Sequence, residues 1–128
     1  MSNPSFSPQL YIPNGITNID FYTNAFGAVE NMRFSNDDGS IHVAELSIDG
    51  AVFYLHEETA STNHFSPEKH KGTTVLIGLF VDDVHAFVNK AIAAGAEIIS
   101  PVQDYEYGYR QGELKDPFGH HWMIQKRI

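Results

Sequence analysis

Two stretches decide the fold, and they read IDFYTNAFGA at residues 19–28 and HAFVNKAIAAGA at residues 85–96. In both, apolar side chains recur at the three- and four-residue spacing of one helix face, and a Gly-Ala pair follows. Gly27 and Gly95 stand where helices often end, because glycine adopts the left-handed backbone of that position at little cost. We therefore predict two short helices. Their predicted N-terminal caps are Asn14 for the first helix and Asp82 with Asp83 for the second.

Apolar or alternating runs before and after each helix predict strands, and turn residues separate these runs. The order of elements recurs in the two halves, and the two Gly-Ala pairs lie 68 residues apart. A repeat of about half the chain length indicates a duplication. We predict an α+β fold in which two βαβββ modules form one curved, eight-stranded mixed sheet with the helices on its outer face. The predicted strands span 6–13, 28–34, 41–48, 51–57, 73–81, 97–102, 107–114 and 121–126.

The length of 128 residues suits one domain, which we place at 1–128. Its modules would span about 6–57 and 73–127, joined by a polar crossover at 58–72. The formal charge of −8 argues against a basic surface for nucleic acid. Cysteine is absent, and the longest apolar run, 75–81, has only the length of a strand. We expect a cytoplasmic protein with no nucleic-acid partner and no membrane partner.

Several motifs resemble those of one family. Residues 19–28 resemble the first-helix signature of the vicinal oxygen chelate superfamily, which includes glyoxalase I, bleomycin resistance proteins and extradiol dioxygenases. Residues 116–122, DPFGHHW, are similar to its turn before the last strand. The run YGYR at 107–110, taken together with residues 116–120 and Trp122, is similar to its PhnB-like branch, and IHVAEL at 41–46 resembles that branch too. The resemblance spans about residues 10–125 and implies paired βαβββ modules, a cup-shaped sheet and frequently a homodimer, which we expect for this chain.

The resemblance also implies where a metal ion would bind. Metal enzymes of the superfamily take His, Gln or Glu ligands from the first, fourth, fifth and eighth strands. In this chain those positions fall on Pro8 or Gln9, Tyr54, Leu76 and Met123. Proline, leucine and methionine do not ligate a hard divalent cation, and neutral tyrosine is a poor ligand. We therefore predict that the inherited metal site is lost, and we expect no cofactor.

Strand alternation supplies the candidate binding residues. If Met123 points into the cup, His121 and Gln125 share its face, and Tyr54 and His56 of the fourth strand face the same way. Such a mixed aromatic and polar lining is typical of small-molecule pockets. The alternative is a relocated metal site in which His56 and His121 combine with a carboxylate. Pocket histidines that simply form hydrogen bonds are the plainer interpretation.

Other candidates have two interpretations each. His42 lies in a strand near Glu45 and either lines the pocket or is a structural histidine. Arg110, beside Tyr109, either binds a ligand carboxylate or phosphate or forms a salt bridge with a carboxylate at position 104, 106 or 116. The histidines in the polar crossover or at the second helix start are expected to be solvated, namely His64, His70 and His85.

The expected function is the binding of a small molecule in the cup, with a sequestration role of the kind that bleomycin resistance proteins have. A metal-dependent or histidine-based lyase, isomerase or dioxygenase with a relocated site is the alternative, with His56 or His121 as a general base. A purely structural module, whose cup is filled by side chains, is a third hypothesis. The predicted ligand-binding residues are His42, Tyr54, His56, Tyr109, Arg110, His121, Met123 and Gln125.

Overall fold

The computed structural model describes residues 3–128, and within them the chain forms eight strands and two α-helices. Met1 and Ser2 of the predicted domain lie outside the described residues. No described helix is long and apolar enough to cross a membrane. The first half contains β1 Gln9–Ile12, α1 Asp20–Phe26, β2 Val29–Ser35, β3 Ile41–Ile48 and β4 Ala51–Glu57. The crossover contains the 3-10 helices Ala60–Thr62 and Pro67–His70. The second half contains β5 Leu76–Phe80, α2 Val84–Ala93, β6 Glu97–Tyr105, β7 Tyr109–Lys115 and β8 His121–Arg127.

Hydrogen bonding divides the strands into two mixed sheets of four, in the orders β1-β4-β3-β2 and β5-β8-β7-β6. In both sheets the outer first strand pairs in parallel with the last, and the remaining pairs are antiparallel. This identical order confirms the predicted α+β fold and its βαβββ repeat. The eight strands form two hydrogen-bonded sheets, one for each module, where one continuous sheet was predicted. The sheets meet through side chains and turns, as where His120 Nε2 donates to the Tyr11 carbonyl at 2.7 Å.

A single aromatic cluster joins the two halves. Trp122 of β8 is buried, and its ring packs against Tyr22, Phe26 and Phe53 of the first half. Phe26 in turn stacks on Phe87 of α2 at a centroid distance of 5.3 Å. Burial of a large apolar side chain contributes about 1.5–3 kcal/mol. The helices and the helix-facing sides of both sheets are therefore held by one core.

A buried carboxylate fastens this core to the turn that precedes β8. Asp116 is 3% exposed, and its Oδ2 accepts hydrogen bonds from Tyr22 Oη at 2.6 Å and Trp122 Nε1 at 3.0 Å. Its Oδ1 accepts the backbone N–H groups of Phe118 and His120. Burial of the phenol, together with the nearby carboxylate, raises the pKa of Tyr22 well above its usual value. The DPFG turn thus fixes the start of β8 against α1.

Helix α1 is shorter than predicted, because it begins at Asp20 and Asn14 does not cap it. The Ile16 carbonyl accepts the N–H of Ile41 at 2.8 Å, so this segment pairs with the start of β3 instead of beginning a helix. Asn18 Oδ1 accepts the N–H of Asp20 at 2.8 Å.

The other caps follow the sequence in part. Gly27 ends α1 with φ of +66°, and Asp83 caps α2 by accepting the N–H of Ala86. Asp82 does not cap α2, and Ala94, one residue before Gly95, is the C-terminal cap of that helix. Asp49 and Gly50 both take positive φ angles in the turn between β3 and β4, as a tight hairpin requires. Strand β6 extends past its predicted end at residue 102.

Candidate functional site

Each sheet has one face buried against the core and one open face, because side chains alternate along a strand. In β4, Phe53 and Leu55 are buried, whereas Tyr54 and His56 are half-buried on the opposite side. We call this side of β1-β4-β3-β2 the first open face. In β8, Trp122 and Ile124 are buried, and the alternate side chains lie on what we call the second open face. These are His121, Met123 and Gln125.

A carboxylate on the first open face is held between two side chains. Tyr54 Oη donates to Glu45 Oε1 at 2.6 Å, and Asn31 Nδ2 donates to Glu45 Oε2 at 3.0 Å. These hydrogen bonds, mainly that from Tyr54, lower the pKa of Glu45, and the same contact raises the pKa of Tyr54. At neutral pH the face therefore presents an ionised Glu45 beside a neutral phenol.

A row of rings runs across the same face and into the crossover. We define the ring row as His42, His56, Tyr11 and His64. His42 and His56 meet edge to face at 4.9 Å, and His56 lies 5.3 Å from Tyr11. Tyr11 stacks on His64 at 4.7 Å. His64 is exposed, as expected. Its ring nevertheless covers that of Tyr11, a residue that the sequence analysis did not select.

The histidines of the ring row are each oriented through Nδ1. His42 Nδ1 lies 2.6 Å from Glu57 Oε2, and His56 Nδ1 donates to the Glu57 carbonyl at 2.6 Å. His64 Nδ1 lies 2.9 Å from Thr62 Oγ1. Such contacts fix the ring orientation and leave Nε2 as the nitrogen for a ligand. Within residues 3–128, however, no three His, Asp or Glu side chains are placed to hold a metal ion.

The residues at the positions that the resemblance assigns to metal ligands do not suit a metal ion. Gln9 lies opposite Tyr54 in the β1–β4 pair, so the first-strand position is Gln9. The second sheet supplies Leu76 and Met123, on the neighbouring strands β5 and β8. The donor set is poor for a hard divalent cation. It consists of the Leu76 hydrocarbon, the Met123 thioether, the neutral Tyr54 phenol and the Gln9 amide.

The second open face contains an oriented histidine and an amide pair. His121 Nδ1 lies 2.7 Å from Glu113 Oε2, and both side chains are about one-fifth exposed. Gln111 Nε2 donates to Gln125 Oε1 at 2.8 Å. The Gln125 amide lies directly over Gly78, where a Cβ atom would come within 2.8 Å of Nε2. Gly78 therefore provides the space that this amide occupies.

Tyr109 and Arg110 lie on opposite faces of β7. Tyr109 shares the second open face and packs near Phe80 at a centroid distance of 6.2 Å. Arg110 points to the other face, where Nε and Nη2 bind the two carboxylate oxygens of Asp104 at 2.6 and 3.1 Å. This contact lowers the pKa of Asp104 and raises that of Arg110. The salt-bridge alternative for Arg110 thus has a partner in the structure, and the structure does not bring Arg110 together with Tyr109.

The crossover contacts both open faces. Its His64 stacks on the first, and Pro67 and Glu68 pack against Gly119 beside the second. Within residues 3–128, no hydrogen bond or ring contact joins Tyr54 or His56 directly to His121, Met123 or Gln125. The crossover therefore lies beside both groups of predicted residues, those on the first open face and those on the second.

A buried glutamate holds the crossover in place. Glu58 accepts hydrogen bonds from the Ser66 N–H and Oγ, both at 2.8 Å, and its other oxygen lies 3.0 Å from Lys69 Nζ. Burial opposes ionisation of Glu58, but the contacts from Ser66 and Lys69 outweigh it and lower its pKa. An ionised Glu58 therefore holds the start of the crossover to its middle, at Ser66 and Lys69.

Two cavities adjoin these elements. The first, about 450 Å³, lies between the crossover and the start of β8, and we call it the crossover cavity. It is lined by Pro67, Glu68, Lys71, Gly72, Lys115, Gly119 and His121. The second, about 520 Å³, lies between the β3–β4 turn, the end of β5 and α2, and Lys90 is one of its lining residues.

Sequence reasoning missed Tyr11, Glu113 and Lys71. Tyr11 shares a face with Gln9 in the predicted first strand, and Glu113 shares a face with Tyr109 in the predicted seventh. The same alternation that selected His121 could have found both. Lys71 lies in an irregular loop, so no periodic signal marked it.

The family follows from a comparison of sequences. A model of the Glyoxalase/Bleomycin resistance protein/Dioxygenase superfamily matches residues 9–124. The chain belongs to this superfamily. The match begins at β1 and ends within β8, so it covers both βαβββ modules. It confirms the superfamily that the motifs at 19–28 and 116–122 resemble.

Relatives of this superfamily member match nearly its whole length, and solved structures share its fold. It is 37% identical over 128 residues to an uncharacterised protein of Mycobacterium bovis, covering 98% of this chain and 84% of that one. A crystal structure of an Arabidopsis thaliana gene product is 29% identical, with a TM-score of 0.74 and coverage of 98% and 100%. The fosfomycin resistance protein FosX of Listeria monocytogenes, solved with Mn(II) and sulfate, is 17% identical, with a TM-score of 0.72 and coverage of 100% and 93%. The likeness to FosX shows the fold alone.

Proposed function

We propose that this superfamily member binds a small organic molecule on its open faces, without the metal ion of the superfamily's enzymes, in a binding or sequestration role. The observation that carries the proposal is the donor set at the inherited ligand positions. Leu76 and Met123 stand where a metal would need nitrogen or oxygen ligands. The superfamily itself supports a small-molecule site, because its members bind small molecules.

The open faces offer suitable contacts for such a ligand. The ring row and Tyr54 supply aromatic surface, and Gln125 supplies an amide that can both donate and accept. Met123, between His121 and Gln125 on the second open face, adds an adaptable apolar contact. Among the predicted ligand residues, Arg110 has the weakest support, because Asp104 already binds its guanidinium through two hydrogen bonds.

Metal analysis and ligand screening test the proposal together. Purified protein should contain far less than one equivalent of Ni, Zn, Fe or Mn, and a chelator should leave its Tm unchanged. A screen of small molecules should yield ligands that raise the Tm, since a ligand at 100 times its Kd stabilises the folded state by about 2.7 kcal/mol. His56→Ala should remove that shift, whereas His85→Ala, on the exposed side of α2, should retain it. Stoichiometric metal that is lost in His121→Ala would contradict the metal-free proposal.

A histidine-based enzyme is the second candidate, and one contact favours it. Glu113 orients His121 through Nδ1 at 2.7 Å, which is the arrangement of a general base held by a carboxylate. Any ligand found in the screen should then be converted over time, as mass spectrometry of the mixture would show. Glu113→Gln should slow that conversion more than it weakens binding. A ligand recovered unchanged after long incubation would leave binding as the function.

We also propose a homodimer. Strand β5 is an edge of its sheet, and Val75, Leu76 and Phe80 are 62%, 48% and 49% exposed. An exposed apolar edge of this kind favours association with a second copy. Light scattering should give twice the chain mass, and Leu76→Glu should give the monomer mass. A monomeric wild-type chain at assay concentrations would contradict this proposal.

The motifs at 107–110 and 116–122 support a place in the PhnB-like branch of the superfamily, which we propose on that resemblance.

A further inference from the structure

We infer that the crossover cavity binds an anionic oxygen group, a carboxylate or a phosphate, at one end of the small molecule. The inference rests on the proposed function, because it places the rest of that molecule on the open faces, both of which the crossover contacts. His121 links the cavity to them, since it lies on the second open face and also lines the cavity.

The cavity is cationic in an acidic protein. Its lining contains Lys71 and Lys115 against one carboxylate, that of Glu68. The whole chain has 8 Lys and Arg residues and a formal charge of −8. Two of these few cations therefore converge on one cavity. An anion would gain from this local field, although the protein as a whole would repel it.

Lys71 is positioned by the backbone. It ends the second 3-10 helix in a left-handed conformation, with φ of +54°. Its N–H donates to the Glu68 carbonyl, and the N–H of the next residue, Gly72, donates to the Pro67 carbonyl. Among residues 3–128, no carboxylate lies within salt-bridge distance of its ammonium group. Its charge is therefore available to a ligand.

Lys115 lines the cavity from the end of β7. Its ammonium group lies 3.0 Å from Glu97, which is 64% exposed. An ion pair in such an exposed position is worth little and exchanges readily with solvent. A ligand anion can therefore replace or share this partner.

His121 completes the set of donors. It lies opposite Lys115 in the β7–β8 pair, and its Nδ1 lies 2.7 Å from Glu113 Oε2. A doubly protonated His121 would donate Nδ1–H to Glu113 and Nε2–H to the ligand.

The roof of the cavity is held independently of the ligand. A Cβ atom at Gly119 would lie 3.2 Å from Pro67 Cβ and 3.3 Å from Glu68 Cγ, so the crossover packs closely on this glycine. The Glu58 contacts with Ser66 and Lys69 fix the same segment from within. A cavity shaped before binding loses less conformational entropy when the ligand arrives.

Titration with simple anions tests the inference. Inorganic phosphate and acetate would be added separately to ¹⁵N-labelled full-length protein at constant ionic strength, with sodium chloride as the reference. We expect saturating shifts of the amide signals of Lys71, Gly72, Lys115 and His121. Which of the two anions binds more tightly distinguishes a phosphate-bearing from a carboxylate-bearing ligand. Shifts that chloride reproduces equally would overturn the inference.

Charge-matched variants make the test specific. The double variant Lys71→Ala/Lys115→Ala should bind the anion roughly fivefold more weakly for each lysine removed, the effect of one contacting unit charge in water. The control Lys90→Ala/Lys126→Ala removes the same charge from positions outside the crossover cavity and should bind as the wild type does. Equal weakening in both double variants would show that only net charge matters, and would overturn the inference.

The inference and the proposed function fail in different ways. If screened ligands bind equally well to Lys71→Ala/Lys115→Ala and to the wild type, the anion site is wrong and the open-face site stands. If phosphate or acetate binds at the crossover cavity and no organic ligand in the screen raises the Tm, the anion site stands and the proposed function is wrong.

Discussion

Replacing Tyr22 by phenylalanine tests whether the buried Asp116 carboxylate fastens the two halves together. The substitution removes one hydroxyl, whose Oη lies 2.6 Å from Asp116 Oδ2, and keeps the ring that packs on Trp122. A hydrogen bond to a charged group contributes about 1.5–3 kcal/mol. The carboxylate retains Trp122 Nε1 and the backbone donors, so we expect a loss near the middle of that range, about 2 kcal/mol. For a chain of this size that loss corresponds to a Tm lower by roughly 8 °C.

Urea unfolding followed by Trp122 fluorescence measures this loss, with an unchanged m value as the sign of an unaltered two-state transition. Tyr107→Phe is the control, because its hydroxyl also forms a 2.6 Å hydrogen bond but the residue is 62% exposed. It should change the free energy of unfolding by less than about 0.5 kcal/mol.

Asp116→Asn completes a double-mutant cycle with Tyr22→Phe. The amide nitrogen must face either the Tyr22 and Trp122 donors or the backbone donors, so this variant should lose more stability than Tyr22→Phe alone. In that background the further Tyr22→Phe change should cost clearly less than in the wild type. A Tyr22→Phe protein within about 0.5 kcal/mol of the wild type, or strict additivity in the cycle, would refute the reasoning.

Three further outcomes follow from individual contacts. The raised pKa of Tyr22 favours the neutral phenol in the folded state, so this contribution is complete below about pH 10 and is lost as the pH rises further; alkaline unfolding curves should show a smaller decline in Tyr22→Phe. Glu58→Gln weakens the contacts that close the crossover, so amide hydrogens of residues 60–72 should exchange faster while those of β8 keep their wild-type rates. Asp83→Ala removes the cap of α2 and should cost about 1 kcal/mol in urea unfolding, whereas Asp82→Ala, whose side chain does not cap the helix, should cost clearly less.

Periodic features of the sequence predicted most of the fold and which side chains of β4 and β8 point away from the core. The alternation of Phe53 with Tyr54 and of Trp122 with Met123 separates core from open face, because a strand buried on one side must place every second residue there. Gly27 predicted the end of α1 because its left-handed backbone is a local property. These features need only neighbouring residues, which is why the sequence alone reveals them.

Features that depend on distant residues were not predictable in the same way. Asn14 has the chemistry of a helix cap, but the Ile16 carbonyl is taken by Ile41 of β3, so tertiary pairing overrides the local preference. Arg110 has carboxylates at several nearby positions, and only the β6–β7 register places Asp104 directly opposite it. The grouping of the site residues on two separate sheets likewise depends on the packing of whole modules.

The residues on which the family resemblance rests stabilise the core, whereas the residues that would bind a ligand or a metal lie on the open faces. Asp116, Tyr22 and Phe26 all lie in the shared core, where they fix β8 and α1 against each other. Their types are set by burial and hydrogen bonding, so any member that keeps this core needs side chains of similar character, whatever it binds. The inherited ligand positions face the open sides instead, where Leu76 and Met123 can change without cost to the core. A match over residues 9–124 is therefore strong grounds for the fold and weak grounds for metal chemistry, and the function must be argued from the open faces themselves.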